Sequence, residues 1–598
     1  MEAFPGDLEL EDGLPQLIII AIVGLASVYV FARLFTDTES AVDYTIPEPE
    51  QLHPDWKGEV LDEPSLNISG SSAIQCYAPA TGQLLGLVNP ATPDGIDRAI
   101  RRAQEAQKSW ATTNFSERRR VLQTLLKFVL ENQEPIARAA CLDSGKTRVD
   151  ASFGEILVTV EKLKWTIKHG SRALKPEKRP TNLLMMYKSN EVKWEPLGIV
   201  SALVSWNYPF HNLLGPTISA IFAGNGIIVK GSEQTAWSSQ YFTSIARGAL
   251  SACGHDENLI QSVICWPSVA PYLTSHPAIS HLTFIGSQEI AYKVATSAAK
   301  SLTECCLELG GKDAAILLDD IKDIDRVVAT IIRGTFQSAG QNCIGIERVI
   351  CLPKIYDKVI PLLQPIVESL RPGSALNSKS GAPVVDVGAS VSSAGFSKVE
   401  NLIADAVKQG ARLLVGGKQF HHPDYPKGHY FSPTLLVDVI PSMKIASTEL
   451  FAPVCLLMRA SSISDAIAIA NGTEYGLGSS VFGSSSEDLE RVTRELKAGM
   501  VAVNDFAAYY AVQLPFGGVK GSGYGRFAGE EGLRSLSAQK SIIRDRFPGL
   551  IKTAIPGPLQ LPLANEQRAW DMCKGIVEFG YGETLSRQIG GIRKLIGI

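Results

Sequence analysis

The sequence predicts an α/β protein in which buried parallel strands alternate with amphipathic helices. Two observations support this prediction. Helical patterns of apolar residues occur at 95–109 and 118–132. Short apolar runs bounded by glycine or polar residues occur at 199–204, 226–229 and 314–318. Runs of this kind are typical of strands that are buried on both faces of a parallel sheet.

Length and composition limit the class of protein. The chain has 598 residues, 45% of them hydrophobic, which is more than one hydrophobic core usually supports, so two or more packed units are expected. The net charge of −4 provides no basic field for a nucleic-acid partner. The ten cysteines and nine histidines show neither C-x-x-C nor H-x-x-x-H spacing. We therefore expect a reducing compartment and predict no metal site.

The N-terminal residues 1–36 are predicted to form a membrane anchor. Residues 13–32 carry no charge, and at about 1.5 Å per residue a helix of this length spans roughly 30 Å, the thickness of the hydrocarbon layer. A cleaved signal peptide and a buried core helix are the alternatives, but acidic residues precede the stretch where a signal peptide has basic ones. Arg33 follows the stretch, which predicts a single-pass protein, expected in the endoplasmic reticulum, whose body lies in the cytosol.

Two further segments flank the expected body. Residues 37–65 are acidic and contain prolines, which predicts a linker between the membrane and the folded body. Prolines also interrupt the start of the C-terminal extension, 546–598. Apolar residues at near-helical spacing follow, beside three basic residues: Leu585, Ile589, Ile592, Leu595, Ile596 and Ile598, with Arg587, Arg593 and Lys594. This pattern fits a basic amphipathic helix on a membrane or a helix packed against the body.

The residue pattern around Cys343 indicates covalent catalysis. Cys343 lies in a G-Q-x-C-x-x-x-x-R segment, downstream of Glu308 in the segment E-L-G-G-K. A thiolate can add to a carbonyl carbon, and a nearby carboxylate can then activate the water that releases the product. The two side chains therefore predict an enzyme that forms a thioester.

Several other segments accompany these two in a specific order. They are Pro196-Leu197-Gly198, Trp206-Asn207-Tyr208-Pro209, Lys230-Gly231-Ser232-Glu233, Phe284-Ile285-Gly286-Ser287, Glu449-Leu450-Phe451-Ala452-Pro453 and Pro515-Phe516-Gly517-Gly518. With Cys343 and Glu308, the set resembles the aldehyde dehydrogenase superfamily over roughly residues 70–545. The added terminal segments are similar to those of a membrane-attached branch of this family in fungi and plants.

The resemblance implies catalytic roles for three residues. Cys343 would be the nucleophile, Glu308 the general base, and Asn207 would form an oxyanion hole with the backbone N–H of Cys343. The implied reaction is NAD-dependent oxidation of an aldehyde to a carboxylic acid through a thiohemiacetal and a thioester. A coenzyme-A-acylating enzyme is an alternative, although relatives of that type lack the glutamate. A non-catalytic membrane scaffold with the same fold is the other alternative.

The resemblance also implies cofactor contacts. Gly286 and Ser287 end an apolar run and begin a helix, where backbone N–H groups would bind the pyrophosphate. Lys230 and Glu233 would hold the adenosine ribose, and Glu233 would favour NAD over NADP by repelling a 2′-phosphate. The remaining contacts would come from residues that hold the nicotinamide ribose and ring: Trp206, Glu449 and Phe451.

The implied architecture has two α/β domains. The NAD-binding domain would span 66–309, with an oligomerisation hairpin at 182–196, and the catalytic domain would span 310–512. An oligomerisation or return segment, 513–545, would precede the extension, and homodimers or homotetramers are expected. Gly215 stands where many relatives have a tunnel tryptophan, and with the anchor this favours an apolar, lipid-derived aldehyde as substrate.

Overall fold

The computed structural model describes residues 39–376, 384–506, 511–551 and 553–597, together with Gly24. The predicted anchor at 1–36 lies outside these four ranges. Within the described part of the chain, no helix has both the length and the apolar character needed to cross a membrane.

The strands of the described chain are short and fall into separate sheets. In chain order they are β1 (Ile74–Tyr77), β2 (Leu84–Val88), β3 (Glu177–Arg179), β4 (Lys188–Pro196), β5 (Ile199–Leu203), β6 (Gly226–Lys230), β7 (Ile260–Val263), β8 (His281–Gly286), β9 (Glu304–Leu309), β10 (Ala314–Leu317), β11 (Arg348–Cys351), β12 (Arg412–Val415), β13 (Gln419–Phe420), β14 (Tyr430–Phe431), β15 (Thr434–Val437), β16 (Val454–Arg459), β17 (Gly478–Phe482), β18 (Met500–Val503), β19 (Gly523–Tyr524) and β20 (Ser537–Asp545).

The α-helices lie mainly between these strands. They are α1 (Pro93–Trp110), α2 (Phe115–Glu131), α3 (Gln133–Ser144), α4 (Arg148–Ala151), α5 (Val158–Ala173), α6 (Pro209–Ala223), α7 (Ala236–Ala252), α8 (Ala270–Thr274), α9 (Gln288–Ala298), α10 (Ile324–Phe336), α11 (Pro353–Ser369), α12 (Phe396–Lys408), α13 (Ile463–Asn471), α14 (Ser486–Glu495), α15 (Gly529–Arg534), α16 (Glu566–Tyr581) and α17 (Leu585–Ile596).

The first α/β unit is built on a six-stranded sheet of order β19-β9-β8-β5-β6-β7. Neighbouring strands from β9 to β7 are parallel, whereas β19 joins β9 antiparallel from much later in the chain. The predicted runs at 199–204 and 226–229 are therefore confirmed as the parallel strands β5 and β6. Because these strands are parallel, their carboxyl ends meet at one edge, where ligands bind in open α/β sheets.

The second α/β unit is built on a seven-stranded sheet of order β12-β15-β16-β11-β10-β17-β18. Its pairs are parallel except for β12 with β15. The predicted run at 314–318 is confirmed as β10, which is fully buried in the middle of this sheet. Each unit has its own hydrophobic core, as expected for a chain of this length.

A third sheet projects from the first unit. It has three strands in the order β20-β4-β3, and β4 pairs along its whole length with β20. The residues that were expected to form an oligomerisation hairpin thus form β4 and the turn before it. The unpaired edge of β20 offers backbone groups to another chain.

The segment 39–65 differs from the linker predicted for it. Glu39 pairs with Arg119 at 2.8 Å, and the ring of Tyr44 stacks on Phe128 with centroids 4.6 Å apart. Leu52 is buried in the first core. These contacts bind the segment to the body from Glu39 onward. The acidic and proline-rich composition of the segment gave no indication of them, because each contact depends on a single side chain.

The C-terminal extension ends in two helices. The helical spacing after Leu585 is confirmed as α17, and α16 precedes it as a helix that the sequence pattern did not predict. Asn565 caps α16 by accepting a hydrogen bond from the backbone N–H of Arg568. The two helices pack against each other.

Arg348 should be a major source of stability. Its guanidinium is buried and donates three hydrogen bonds to backbone carbonyls, those of Lys312 (2.9 Å), Ile469 (2.8 Å) and Ala470 (2.9 Å). Arg348→Leu removes all three charged hydrogen bonds, and among the described residues only the Ile469 carbonyl keeps another donor, the backbone N–H of Gly472 (3.2 Å). We therefore expect a loss of roughly 4 kcal/mol in unfolding free energy, measured by chemical denaturation. Arg412→Leu removes an exposed pair with Asp438 and is the control, expected to cost less than about 1 kcal/mol. Equal losses in the two variants would contradict this role.

Candidate active site

Cys343 lies in a strained loop between α10 and β11. Ser338 (φ 53°), Ala339 (φ 56°) and Gly340 (φ 71°) follow one another in the left-handed region, which is costly for residues other than glycine. A Cβ at Gly340 would lie 2.1 Å from the carbonyl oxygen of Ala452, so only glycine fits there. The loop therefore turns sharply just before the nucleophile.

The side chain of Gln341 holds this loop in place. Its Nε2 donates to the carbonyls of Ser338 (3.0 Å) and Ala389 (3.3 Å), and its Oε1 accepts from the backbone N–H of Val391 (2.9 Å). Both ends of the amide are thus engaged in a buried position. Gly340 permits the sharp turn and Gln341 holds the loop by hydrogen bonds. The G-Q pair of the motif therefore positions Cys343 and does not react.

Glu308, at the end of β9, faces the nucleophile. The Glu308 carboxylate and the Cys343 thiol are close enough to shift each other's pKa, and Oε1 of Glu308 has no hydrogen-bond partner among the described residues. Burial raises the pKa of Glu308 to about 7, and the hydrogen bond from Cys343 opposes this rise. A carboxylate with a pKa near neutrality is suited to accept and release a proton during turnover.

The thiol itself is held protonated. Burial raises the pKa of Cys343 well above its ordinary value, and the charge of Glu308 raises it further. Because a thiolate is the reactive nucleophile, attack requires that the proton leave. Among the nearby charges, that of Glu308 raises the pKa of Cys343 most, so Glu308 is the side chain placed to take this proton.

Asn207 is positioned beside the nucleophile by a buried network. Its Nδ2 donates to the carbonyl of Gln341 (3.2 Å), while its Oδ1 accepts from the hydroxyl of Ser205 (2.7 Å). Lys146 donates to the backbone carbonyl of Asn207 (2.7 Å) and pairs with buried Glu155 at 2.5 Å. An amide nitrogen carries two N–H groups, so the second can reach an oxygen bound at Cys343.

The carboxyl edge of the first sheet carries two of the predicted cofactor segments. β8 ends at Gly286, and Ser287 occupies the N-cap of α9, where its side chain makes no capping hydrogen bond to any described residue. The first N–H groups of α9 are therefore available to an anion. At the end of β6, Lys230 and Glu233 form an ion pair at 2.7 Å.

A second loop, 449–451, completes the site from the second unit. Glu449 accepts a hydrogen bond from the backbone N–H of Gly311 (3.0 Å), and burial, aided by the charge of Glu347, raises its pKa to about 8. Phe451 has a φ of 53°, and its ring meets that of Trp206 edge to face with centroids 5.6 Å apart. The strained backbone of this loop presents Glu449 and Phe451 to the same space.

These groups converge on one cavity of about 330 Å³. Eight of the ten predicted site residues line it: Trp206, Asn207, Gly286, Ser287, Glu308, Cys343, Glu449 and Phe451. Lys230 and Glu233 do not line it and lie further along the sheet edge. The nucleophile, the base and the carboxyl edge of the first sheet therefore share one chamber.

Sequence reasoning missed the residues that hold the site together. Lys312 and Glu347 form a buried ion pair at 2.5 Å, and the Glu347 carboxylate accepts from the backbone N–H groups of Leu450 and Phe451. Lys146 and Glu155 were missed in the same way. Lys312 and Glu347 lie within the two recognised motifs, at the last position of E-L-G-G-K and one residue before the final arginine of the cysteine motif. Two opposite charges at these positions were the available signal.

The comparisons with known proteins agree with this geometry. Residues 67–542 match the model of the aldehyde dehydrogenase family. An aldehyde dehydrogenase-like protein of Schizosaccharomyces pombe is 52% identical over 516 residues, covering 86% of this chain and 98% of the relative. The NADP-dependent succinate-semialdehyde dehydrogenase of Escherichia coli is 31% identical over 471 residues, covering 78% and 93%.

A solved structure has the same fold. The crystal structure of a Mycobacterium tuberculosis aldehyde dehydrogenase complexed with NAD⁺ superimposes with a TM-score of 0.73 and 28% identity, covering 80% of this chain and 95% of that one. The family match spans both α/β units and every predicted site residue. The chain therefore belongs to the aldehyde dehydrogenase family and is an NAD(P)-dependent enzyme.

Proposed function

We propose that this protein is a membrane-attached dehydrogenase that oxidises an apolar, lipid-derived aldehyde to its carboxylic acid with NAD. The observation that carries the reaction is that the Cys343 thiol and the Glu308 carboxylate line one cavity and shift each other's pKa, with Asn207 beside the nucleophile loop. A nucleophile alone could form a thioester. A base of raised pKa next to it adds a route to hydrolysis.

The first half of the reaction forms the thioester. The Cys343 thiol passes its proton to the Glu308 carboxylate, which later releases it to solvent, and the sulfur bonds to the aldehyde carbon, which makes a thiohemiacetal. The free N–H of the Asn207 amide and the backbone N–H of Cys343 stabilise the oxygen that becomes negative. A nicotinamide ring held by Glu449 and Phe451 would supply the acceptor for the hydride of this carbon.

The second half releases the acid. Glu308, as a carboxylate, takes a proton from water, and the resulting hydroxide adds to the thioester carbon. The carbon–sulfur bond then breaks, the thiol of Cys343 is restored, and the carboxylic acid leaves. Coenzyme A as the acyl acceptor would make Glu308 unnecessary, so the presence of this buried base favours water.

The chain's residues fit a dinucleotide. The N–H groups at the start of α9 suit a pyrophosphate, and Glu233 suits ribose hydroxyls. Glu233 is negative and would repel a 2′-phosphate, which favours NAD. Its partner Lys230 could compensate for that charge, so NADP is the less favoured alternative.

The cavity wall supports an apolar substrate. Lys162 donates to the carbonyl of Phe527 (3.1 Å), and the His211 ring is paired with the hydroxyl of Thr159 (3.0 Å). Burial lowers the pKa of Lys162 to about 8 and that of His211 to about 3, so the histidine is neutral. The rest of this wall is mostly carbon, from Gly154, Val158, Gly215, Pro216, Val512, Phe516 and Phe527.

Membrane attachment and assembly complete the proposal. The apolar stretch 13–32 would cross the membrane of the endoplasmic reticulum once, with Arg33 and the body in the cytosol. The exposed edge of β20 would join two copies into a homodimer or a homotetramer.

If the body lies in the cytosol, protease added to intact microsomes should digest it. Protection of the body would overturn the proposed membrane topology.

Substitutions of Cys343 and Glu308 should separate thioester formation from thioester hydrolysis. Glu308→Gln should form the thioester more slowly, because the thiol must then lose its proton to water, and should still release up to one NADH per site before turnover stalls at hydrolysis. Cys343→Ala should form no adduct at all. Rapid mixing with aldehyde and NAD, followed by mass measurement of the quenched protein, distinguishes these results. Turnover of Glu308→Gln at the wild-type rate without an acyl adduct would mean that another group activates the water.

The hydrolysis step should depend on pH. With a pKa of about 7, Glu308 is mostly protonated in mild acid and cannot accept a proton. The decay rate of the preformed acyl enzyme should therefore rise with pH through about 7 and level off above it. The slow decay in Glu308→Gln should lack this rise, and the same rise in both proteins would assign it to another group.

Glu233 should set the cofactor preference. Glu233→Gln keeps a hydrogen-bonding side chain but removes the charge, so kcat/KM for NADP should rise while that for NAD falls modestly. Glu257→Gln, an exposed carboxylate elsewhere in this unit, is the matched control. Better use of NADP than NAD by the unmodified enzyme would refute the role given to Glu233.

Gly215 should set the width of the substrate chamber. A Cβ at this position would meet only the His211 ring, at 3.6 Å, so a larger side chain would project into the chamber. Gly215→Trp should lower kcat/KM for long-chain aldehydes by far more than for propanal, and Gly215→Ala should change both little. A uniform loss across chain lengths would show that Gly215 does not face the substrate chain.

A further inference from the structure

The two C-terminal helices form a compact hairpin outside the part of the chain that matches the family. A Cβ on Gly575 would lie 2.8 Å from the carbonyl oxygen of Gly591, and a Cβ on Gly591 would lie 2.4 Å from the backbone nitrogen of Phe579. Arg568 of α16 caps the end of α17 through the carbonyls of Lys594 (2.8 Å) and Leu595 (3.1 Å). The helices thus meet through glycines, a close backbone approach that is typical of helices in membranes.

The large apolar side chains of α17 are exposed. Leu585, Ile589, Ile592 and Ile596 are spaced four, three and four residues apart, so they form one stripe along the helix. Their exposed fractions are 74%, 44%, 41% and 63%. In a helix of a globular protein such a stripe normally packs against the core, and here the core lies elsewhere. We call these four residues the α17 stripe.

Other exposed apolar side chains lie close to this hairpin. On α16 they are Trp570, Val577 and Tyr581. Leu184 packs near Gly580, and its neighbours Leu183 and Met186 are exposed as well. The exposed apolar surface therefore extends from the hairpin to the turn before β4, which is much more than the isolated apolar residues of an ordinary surface.

The charged residues of α17 indicate which kind of surface contacts the α17 stripe. Its charged residues, Arg587, Arg593 and Lys594, are all basic. Lys594 pairs with Glu578 of α16 at 2.5 Å, whereas Arg587 and Arg593 are exposed. Around the helix axis Arg593 lies about 70° from the centre of the stripe, whereas Arg587 lies on the opposite face. A basic side chain beside an apolar stripe suits an anionic bilayer surface. A second copy of α17 would instead bring like charges together.

We propose that α17 lies in the surface of an anionic bilayer, with the α17 stripe among the acyl chains and Arg593 at the phosphate groups. With 12 residues at about 1.5 Å each, α17 is roughly 18 Å long, which is too short to cross a bilayer and sufficient to lie along it. This contact is separate from the predicted anchor at 1–36 and would hold the C-terminal extension at the membrane. It does not depend on the reaction that is proposed for Cys343.

Photo-cross-linking of the full-length protein tests this contact. p-Benzoylphenylalanine replaces Ile592 on the stripe or, as the control, Ser586, which is exposed on another face of the same helix. Each variant is reconstituted with phosphatidylcholine–phosphatidylserine vesicles, recovered by flotation and irradiated. Mass spectrometry then measures adducts with lipid acyl chains. Thermal stability equal to that of the unmodified protein shows that the variants are folded.

We expect several-fold more lipid adduct at position 592 than at 586, and less at 592 in vesicles of phosphatidylcholine alone. Equal labelling at both positions would mean that an anchor elsewhere merely holds the hairpin near the membrane, which overturns the proposal. Adducts at 592 that link two copies of the protein would assign the stripe to a protein interface. Absence of the protein from the floated vesicles would also refute lipid binding.

Discussion

The buried ion pair between Lys312 and Glu347 is the interaction on which the geometry of the active site depends. Lys312 follows β9, which carries Glu308, and Glu347 lies between Cys343 and β11. The same carboxylate accepts hydrogen bonds from the backbone of the 449–451 loop. One carboxylate thus connects the base, the nucleophile loop and the second-unit loop. Removing either partner would leave a buried charge unpaired, which typically costs several kcal/mol, about 3–5.

Burial determines the protonation states of the ionisable side chains in the active-site cavity. It raises the pKa of Glu308 to about 7 and that of Glu449 to about 8, and it keeps the Cys343 thiol protonated. Full charges on all three groups in one small cavity would repel one another and lack water to solvate them. The arrangement therefore favours proton sharing between Cys343 and Glu308, and this suits a residue that must both release and accept a proton.

The apolar side chains at the two ends of the described chain have opposite environments, buried in the N-terminal segment and exposed in the C-terminal hairpin. The N-terminal segment looks polar in composition, yet Tyr44 and Leu52 insert into the body and bind it there. The C-terminal hairpin contacts itself through glycines and leaves its large side chains exposed. A hydrophobic cavity and an exposed apolar surface in one molecule agree with the lipid-derived substrate that we propose.

The sequence by itself determined the fold class, the strands β5, β6 and β10, and, through its resemblance to a known family, eight of the residues that line the chamber. The strands have a local cause, because apolar runs form buried strands, and Gly340 and Gln341 prescribe the turn that presents Cys343. Only the tertiary structure decided the pairing of Lys312 with Glu347, the raised pKa of Glu308, the docking of residues 39–65 and the exposure of the α17 stripe. Each of these depends on which distant residues remove water from a group, and desolvation is a property of the packed chain that neighbouring residues along the sequence do not specify.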